Sequence, residues 1–136
     1  MHKIILGFDF GLSKIGVAIG QMVTRSATPL TILKANRGAP DWQLIKKMIE
    51  DWDADAIVVG LPLNMDGTEQ YITKRVREFA GILKKQFTLP VYFSDERLTT
   101  VAARDEMHTH LKGAARFAQA DSMSAKLIVE SWMQSQ

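Results

Sequence analysis

The chain has 136 residues, the size of one domain, and at that length it can bury about two-thirds of its unfolded surface without covalent staples. Hydrophobic residues make up 46% and charged residues 24%, and there is no cysteine, which excludes disulfides and thiolate metal sites. The 17 Lys and Arg against 15 Asp and Glu leave a net charge of +2, and no apolar run approaches the ~20 residues that cross a bilayer. Met1 runs into a strand-like pattern rather than a leader, so one cytoplasmic domain over residues 1–136, with no membrane association, is expected.

The run from Lys3 to Asp9 is almost continuously apolar and predicts a strand buried on both faces. Gly11 to Ser13 is a turn signal, Ile15 to Ile19 a second strand, and Pro29 to Lys34 a third, together an antiparallel meander. After Pro40 the period changes. Leu44, Ile45, Met48, Ile49 and Trp52 form the stripe of an amphipathic helix. Ala56 to Gly60 predicts a fourth strand and Leu61 to Gly67 a loop. Thr68 is the expected N-cap of a long helix with the stripe Ile72, Val76, Phe79, Ala80, Leu83 and Phe87. Pro90 to Ser94 predicts a fifth strand, and Thr99 or Thr100 a cap for a helix reaching about His108. Leu111 to Ala120, low in periodicity, predicts a mobile loop, and a last helix is expected from about Asp121 to Met133. A meander followed by βα units implies an α/β fold: a mixed five-stranded sheet of order 3-2-1-4-5, with helices on both faces.

Sites in open α/β sheets gather outside the carboxyl ends of the parallel strands. Asp9 ends the first strand, Asp95 and Glu96 end the fifth, and Asp121 opens the last helix, so these acids would converge in that topology. Like charges brought together repel and raise each other's pKa, and a hard cation such as Mg²⁺ or Mn²⁺ relieves this. With the carboxylates withdrawn to one pocket the remaining surface is distinctly basic, which suits a polyanion cut at a metal. Each acid also has an ordinary reading: a turn residue at Asp9, an ion pair in Asp95-Glu96-Arg97, a helix-dipole partner at Asp121.

Four segments carry a family resemblance. Phe8-Asp9-Phe10-Gly11-Leu12-Ser13-Lys14-Ile15-Gly16-Val17-Ala18 resembles the first motif of the YqgF family. Val59-Gly60-Leu61-Pro62-Leu63-Asn64-Met65-Asp66-Gly67-Thr68 and Asp95-Glu96-Arg97-Leu98-Thr99-Thr100 resemble the next two, and Asp121-Ser122-Met123-Ser124-Ala125 with Leu127-Ile128 the fourth. The match runs in order over about residues 4 to 130. The family is one of pre-16S rRNA nucleases, formerly regarded as Holliday junction resolvases, on an RNase H-like fold, whose strand order is the one predicted above. The resemblance implies an acidic, metal-binding and catalytic triad of Asp9, Glu96 and Asp121. It also implies metal-dependent hydrolysis of nucleic-acid phosphodiesters in maturation of the 5′ end of small-subunit rRNA, on structured RNA or branched DNA and within a pre-ribosomal particle. With a net charge of +2 and no evident heptad, a monomer or weak dimer is expected.

The chain departs from the family pattern at several places. Lys14 stands where the first motif usually has Arg, keeping the charge but not the bidentate fork. The Lys often found before the last Asp is absent, leaving Lys112 and Arg116 as the phosphate-contacting substitutes. Related resolvases carry a second acid on the fourth strand where this chain has Gly60, so Glu96 must reach in from one strand further out; Ser124 stands where they have another carboxylate. Asn64 or its loop amides could meet phosphate or simply form a turn, and Arg97 could clamp a phosphate or pair with a local carboxylate. Lys74, Arg75, Arg77, Lys84 and Lys85 read as a solvated helix face, the three Trp as packing residues, and His108 and His110 carry no zinc or catalytic expectation. Competing classes are a non-catalytic nucleic-acid-binding module, an actin-type ATPase, which would need a second domain, and a ribosome-bound scaffold.

Overall fold

The computed structural model describes residues 2–98 and 113–136, the side chains of residues 98 and 113–122 excepted. Strands β1 (Ile4–Asp9), β2 (Lys14–Gln21) and β3 (Ser26–Asn36) form the expected meander. A two-residue β4 (Ala39–Pro40) precedes helix α1 (Trp42–Trp52), strand β5 (Ala56–Leu61), helix α2 (Tyr71–Phe87) and strand β6 (Val91–Asp95). A single 3₁₀ turn, Glu96–Leu98, follows β6, and the last described element is helix α3 (Gly113–Gln134).

The sheet order is β4-β3-β2-β1-β5-β6, with β5 parallel to β1 and to β6. The predicted order is thus kept, with one extra edge strand. β4 escaped prediction because two residues carry no periodicity. It exists because Arg37 and Gly38, both at positive φ (51° and 86°), turn the chain back so that Asn36 pairs with Ala39. Alternation along the central strands sorts the core into two layers. Leu6, Phe8, Ile15, Val17, Ile57 and Val59 face α1 and α2, where Ile45, Val76, Phe79 and Leu83 close the packing. Ile5, Ala18, Ala56 and Val58 face α3, against Ala125, Ile128, Val129, Trp132 and Met133.

Two boundaries and one buried stripe differ from expectation. Thr68 does not cap α2: its backbone N–H and hydroxyl both donate to Asp66 Oδ1 (3.0 and 2.6 Å), which holds it in the preceding turn. The cap is Gln70, whose N–H donates to Thr73 Oγ1 (2.9 Å), while the buried Thr73 hydroxyl donates to the Pro62 carbonyl and ties the helix start to the end of β5. Residues 113–120 are helical rather than a loop, so Asp121 lies within α3 and not in its first turn. Four alanines in that stretch favour helix through intrinsic propensity, which apolar periodicity does not register. Within the expected stripe of α1, Leu44 (47%) and Trp52 (42%) remain half exposed, and Ile45 carries the burial. The helix expected after Thr99 or Thr100 lies outside the described residues.

The face under α3 is paved with glycine. A Cβ at Gly7 of β1 or at Gly20 of β2 would run into the side chain of Val129, so the helix lies directly on the strand backbones. Gly81, on the exposed side of α2, has no neighbour within 4 Å of where its Cβ would stand. Gly7→Ala is therefore expected to destabilise the protein by about 1–3 kcal/mol through overpacking. Gly81→Ala is expected to stabilise it by about 1 kcal/mol through helix propensity. Urea midpoints of the two variants, shifted in opposite directions, are the check.

Candidate active site

The carboxyl ends of β1, β5 and β6 form one edge of the structure, and strand alternation decides which acids share a face there. Asp9 follows Ile5 and Gly7 on the face covered by α3, and it pairs in register with Gly16 of β2. On β5 the same face carries Ala56, Val58 and Gly60. Gly60 pairs with Ser94 and Leu61 with Asp95, so Asp95 falls on the opposite face and Glu96, one residue on, returns to the face of Asp9.

Gly60 explains how Glu96 gets there. A Cβ at Gly60 would lie 3.2 Å from Glu96 Oε1 and 2.5 Å from Ile128 Cδ1. The Glu96 carboxylate therefore rests over the backbone of β5, in space that any other residue at position 60 would fill. The acid that related resolvases place on this strand is supplied from β6's end, and the longer glutamate side chain spans the extra strand spacing of ~4.8 Å. Read from the sequence, Gly60 was a missing acid; it is the seat of one. The available signal was a glycine at the end of a β-branched run, which marks close approach of another group.

Asp95 is occupied otherwise. Its Oδ1 accepts from the Arg97 backbone N–H (2.9 Å) and Nε (3.1 Å), and its Oδ2 accepts from Arg97 Nε (3.0 Å) and Nη2 (2.7 Å). The Arg97 side-chain hydrogen bonds hold the Asp95 carboxyl below its usual range, and the pairing raises the guanidinium in turn. Arg97 Nη1 also donates to the Met65 carbonyl (3.2 Å), and the guanidinium lies against Gly67. Between the two alternatives for Arg97, the structure displays the local carboxylate pairing, which straps the 62–68 loop to the end of β6.

That loop is closed by its own hydrogen bonds. Asn64 N–H donates to the Thr68 carbonyl (2.9 Å), Gly67 N–H to the Asn64 carbonyl (2.8 Å), and Asn64 Nδ2 to Thr68 Oγ1 (2.9 Å). Asn64 thus serves the turn in this structure. Asp66 is held below its usual range, first by the Thr68 hydroxyl and then by the Thr68 backbone.

Lys14, the first residue of β2, is exposed and shares with Asp9, Phe10, Gly11, Ser13 and Gly16 a cleft of about 310 Å³. Gly11 is required at this turn because a Cβ there would fall 2.5 Å from the Lys14 carbonyl oxygen. Asp121 belongs to α3, and its side chain lies outside the described residues. The sheet-facing stripe of α3 runs from Met133 beside Gly20, through Val129 over Gly7, to Ala125 and the 8%-exposed Ser124, that is, toward the Asp9 end. Asp121 precedes Ala125 by four residues in α3. Arg116 is also in α3 with its side chain outside the described residues, and Lys112, His108 and His110 lie outside them altogether. Asp9 and Glu96 are thus brought to one end and one face; Asp95 and Arg97 are not. Among the described residues no group of three or more potential metal ligands gathers.

A mixed sheet of this order with helices on both faces, carrying Asp9 at the end of β1 and the Glu96 carboxylate over the neighbouring β5, has the architecture of an RNase H-like nuclease. A family model described as "RuvX: Holliday junction resolvase" matches residues 3–135. Relatives named "Putative pre-16S rRNA nuclease" include those of Nitrosococcus oceani, 48% identical over 98% of this chain and 88% of its own, and Coxiella burnetii, 51% identical over 99% and 95%. Among solved structures, Thermus thermophilus RuvC in complex with Holliday junction substrate superposes with a TM-score of 0.59 over 98% of this chain and 96% of its own, at 14% identity, a likeness of fold. The chain belongs to the RuvX (YqgF) family of nucleases.

The Asp95–Arg97 pair gives a pH signature. A depressed folded-state pKa contributes stability that is present above the unfolded carboxyl pKa of about 3.9 and is lost as pH falls through the folded value. Wild-type protein is expected to lose stability over that acid interval more steeply than Arg97→Met. Urea midpoints measured from about pH 6 to about pH 2 test this, and parallel curves would remove the pair's role in holding the loop.

Proposed function

We propose that this protein is a divalent-metal-dependent nuclease that hydrolyses phosphodiesters of precursor 16S rRNA, maturing its 5′ end in the cytoplasm. The observation that carries the reading is the Glu96 carboxylate seated over Gly60, on the same face and at the same end as Asp9. Two hard oxygen donors there, with Asp121 as a third from α3, suit Mg²⁺ or Mn²⁺ rather than a soft metal, and the chain has no cysteine to offer one. When bound, such an ion lowers the pKa of water and neutralises charge on the cleaved phosphate.

The residues of the chain divide the remaining work. Asp9 holds the acidic centre from the end of β1 and Glu96 from the first residue after β6, where its carboxylate rests on β5, so the sheet sets the geometry. Lys14 at the rim of the Asp9 cleft meets phosphate charge. Lys112 and Arg116 extend that contact, in place of the lysine that the family often has before the last Asp. Asp95 and Arg97 act indirectly, by fixing the backbone on either side of Glu96. Hydrolysis adds one water across the P–O bond: its oxygen joins phosphorus and a proton passes to the leaving oxygen. The substrate arrives within a pre-ribosomal particle, and the protein works as a monomer or weak dimer.

A second reading, resolution of four-way DNA junctions, is favoured by the fold shared with the RuvC complex. Both readings use the same acids. Asp9→Asn and Glu96→Gln keep side-chain shape and are expected to fold normally while losing at least about 100-fold in metal-dependent cleavage, the scale of removing a principal electrostatic contribution. The assay compares a precursor RNA spanning the 5′ processing site with a four-way DNA junction, in Mg²⁺ or Mn²⁺. Preference for the RNA supports rRNA processing and preference for the junction supports resolution. Undiminished cleavage by Asp9→Asn would falsify the site.

A further inference from the structure

Resting on the nuclease reading, we propose that Lys34 and Arg37 form, with Lys14, a cationic rim that grips the phosphate backbone of the nucleic acid beside the acidic centre. Lys14 lies two residues from Gly16, the register partner of Asp9, and so shares its sheet face. Lys34 of β3 is the direct cross-strand partner of Lys14. Going outward from Asp9, the carboxyl end of the sheet therefore carries a lysine on the first neighbouring strand and another on the second, each step ~4.8 Å. Like charges directly opposite each other across a strand pair are destabilising. Both lysines are exposed, and among the described residues neither has an ion pair or side-chain hydrogen bond.

Arg37, at the tip of the β3–β4 hairpin, lines a recess with Phe10, Trp42, Arg75 and Glu78 on the α1 and α2 side, and so carries the rim around the sheet end from the face of Lys14 and Lys34. Its φ of 51° is a left-handed conformation that costs an arginine energy where Asn or Gly would be at ease. Arg25 has a similar φ of 53°, but its guanidinium donates to the carbonyls of Met133 (2.9 Å) and Gln136 (3.4 Å) at the end of α3. The exposed Arg37 guanidinium has no such employment among the described residues. Its backbone is nevertheless pinned: the Arg37 carbonyl accepts from Arg75 Nη2 (2.6 Å), and Gly38 N–H donates to the Leu12 carbonyl (2.8 Å) in the turn that follows Asp9. A strained arginine is thus held in place by its backbone beside the turn that follows Asp9, with no ion pair among the described residues. Cations without a carboxylate partner among the described residues, set along the sheet end next to an acidic, phosphate-cleaving centre, are complementary to a phosphodiester backbone, which they would hold across that end.

The test measures binding of a fluorescent single-stranded RNA of mixed sequence, by anisotropy across a salt series, with every protein carrying Asp9→Asn so that the probe stays whole. Lys34→Gln and Arg37→Gln are each expected to weaken binding roughly five- to tenfold at about 0.1 M salt and to reduce the log–log salt slope by about one unit. The double variant Lys46→Gln/Lys47→Gln removes two charges from α1 and is expected to change neither. Arg37→Gly separates the rim from folding: it is expected to raise the unfolding midpoint while weakening RNA binding. Slopes and affinities equal to those of the α1 control would overturn the rim. Cleavage by the same variants with Asp9 restored separates the two claims. Cleavage with unaltered salt slopes rejects the rim alone. Reduced slopes in a protein that cuts neither RNA nor DNA leave the rim standing and reject the nuclease.

Discussion

The direct contact of α3 with the backbones of the central strands is the constraint on which the rest of the structure depends. A helix ordinarily meets a sheet through a layer of side chains from both. Here Gly7 and Gly20 remove that layer, and Val129 drops into the space between β1 and β2. The helix cannot slide, because Gly60 receives Ile128 in the same way on β5. What looks like weak strand sequence, with glycine where bulk would be expected, is therefore a docking track. It fixes the line along which the sheet-facing stripe of α3 runs toward the Asp9 end.

That track also determines the electrostatics of the site. With β5 cleared of side chain at position 60, an acid can enter from the neighbouring strand and sit near the middle of the sheet. The acidic centre then occupies the parallel half, β1, β5 and β6, while exposed lysines lie on the antiparallel half. A single sheet edge carries both signs of charge, sorted by strand. This arises from topology and alternation and needs no dedicated loop. The loops that are present serve to hold the arrangement: Arg97 straps residues 62–68 to β6, and Arg75 pins the β3–β4 tip.

Much of this was legible in the sequence, and the reasons differ by element. The central strands were clear because burial on both faces leaves them almost purely apolar, and their order followed from right-handed crossovers. The convergence of Asp9 and Glu96 followed from the same topology. The separation of Asp95 from Glu96 did not, because adjacent acids look alike until strand register assigns their faces. The start of α3 was misjudged because Ala114, Ala115, Ala118 and Ala120 express helix through propensity and not through an apolar stripe. Thr68 carries the sequence signal of a cap but does not act as one, because Asp66, two residues earlier, competes for the groups that a cap would use. Gly60 was read by comparison with other nucleases as a loss, whereas its meaning depended on a side chain 36 positions away.

The alternation at the end of β6 carries an evolutionary consequence. Because Asp95 and Glu96 are consecutive, a one-residue deletion or insertion in this strand would exchange their faces, leaving the composition of the motif nearly intact. The aspartate would then stand toward Gly60 with one methylene too few to cover the strand it must cross, and the glutamate would be left to the arginine. Lineages that shorten or lengthen β6 can therefore retain an acidic doublet and a folded protein and still lose the centre. Conversely, a lineage that replaces Gly60 by an acid removes the need for the glutamate's reach and frees position 96 to vary. A glycine at 60 with a glutamate at 96, and an acid at 60 with position 96 free, are alternative solutions to the same spatial demand, which an alignment column alone would score as substitutions at two unrelated sites.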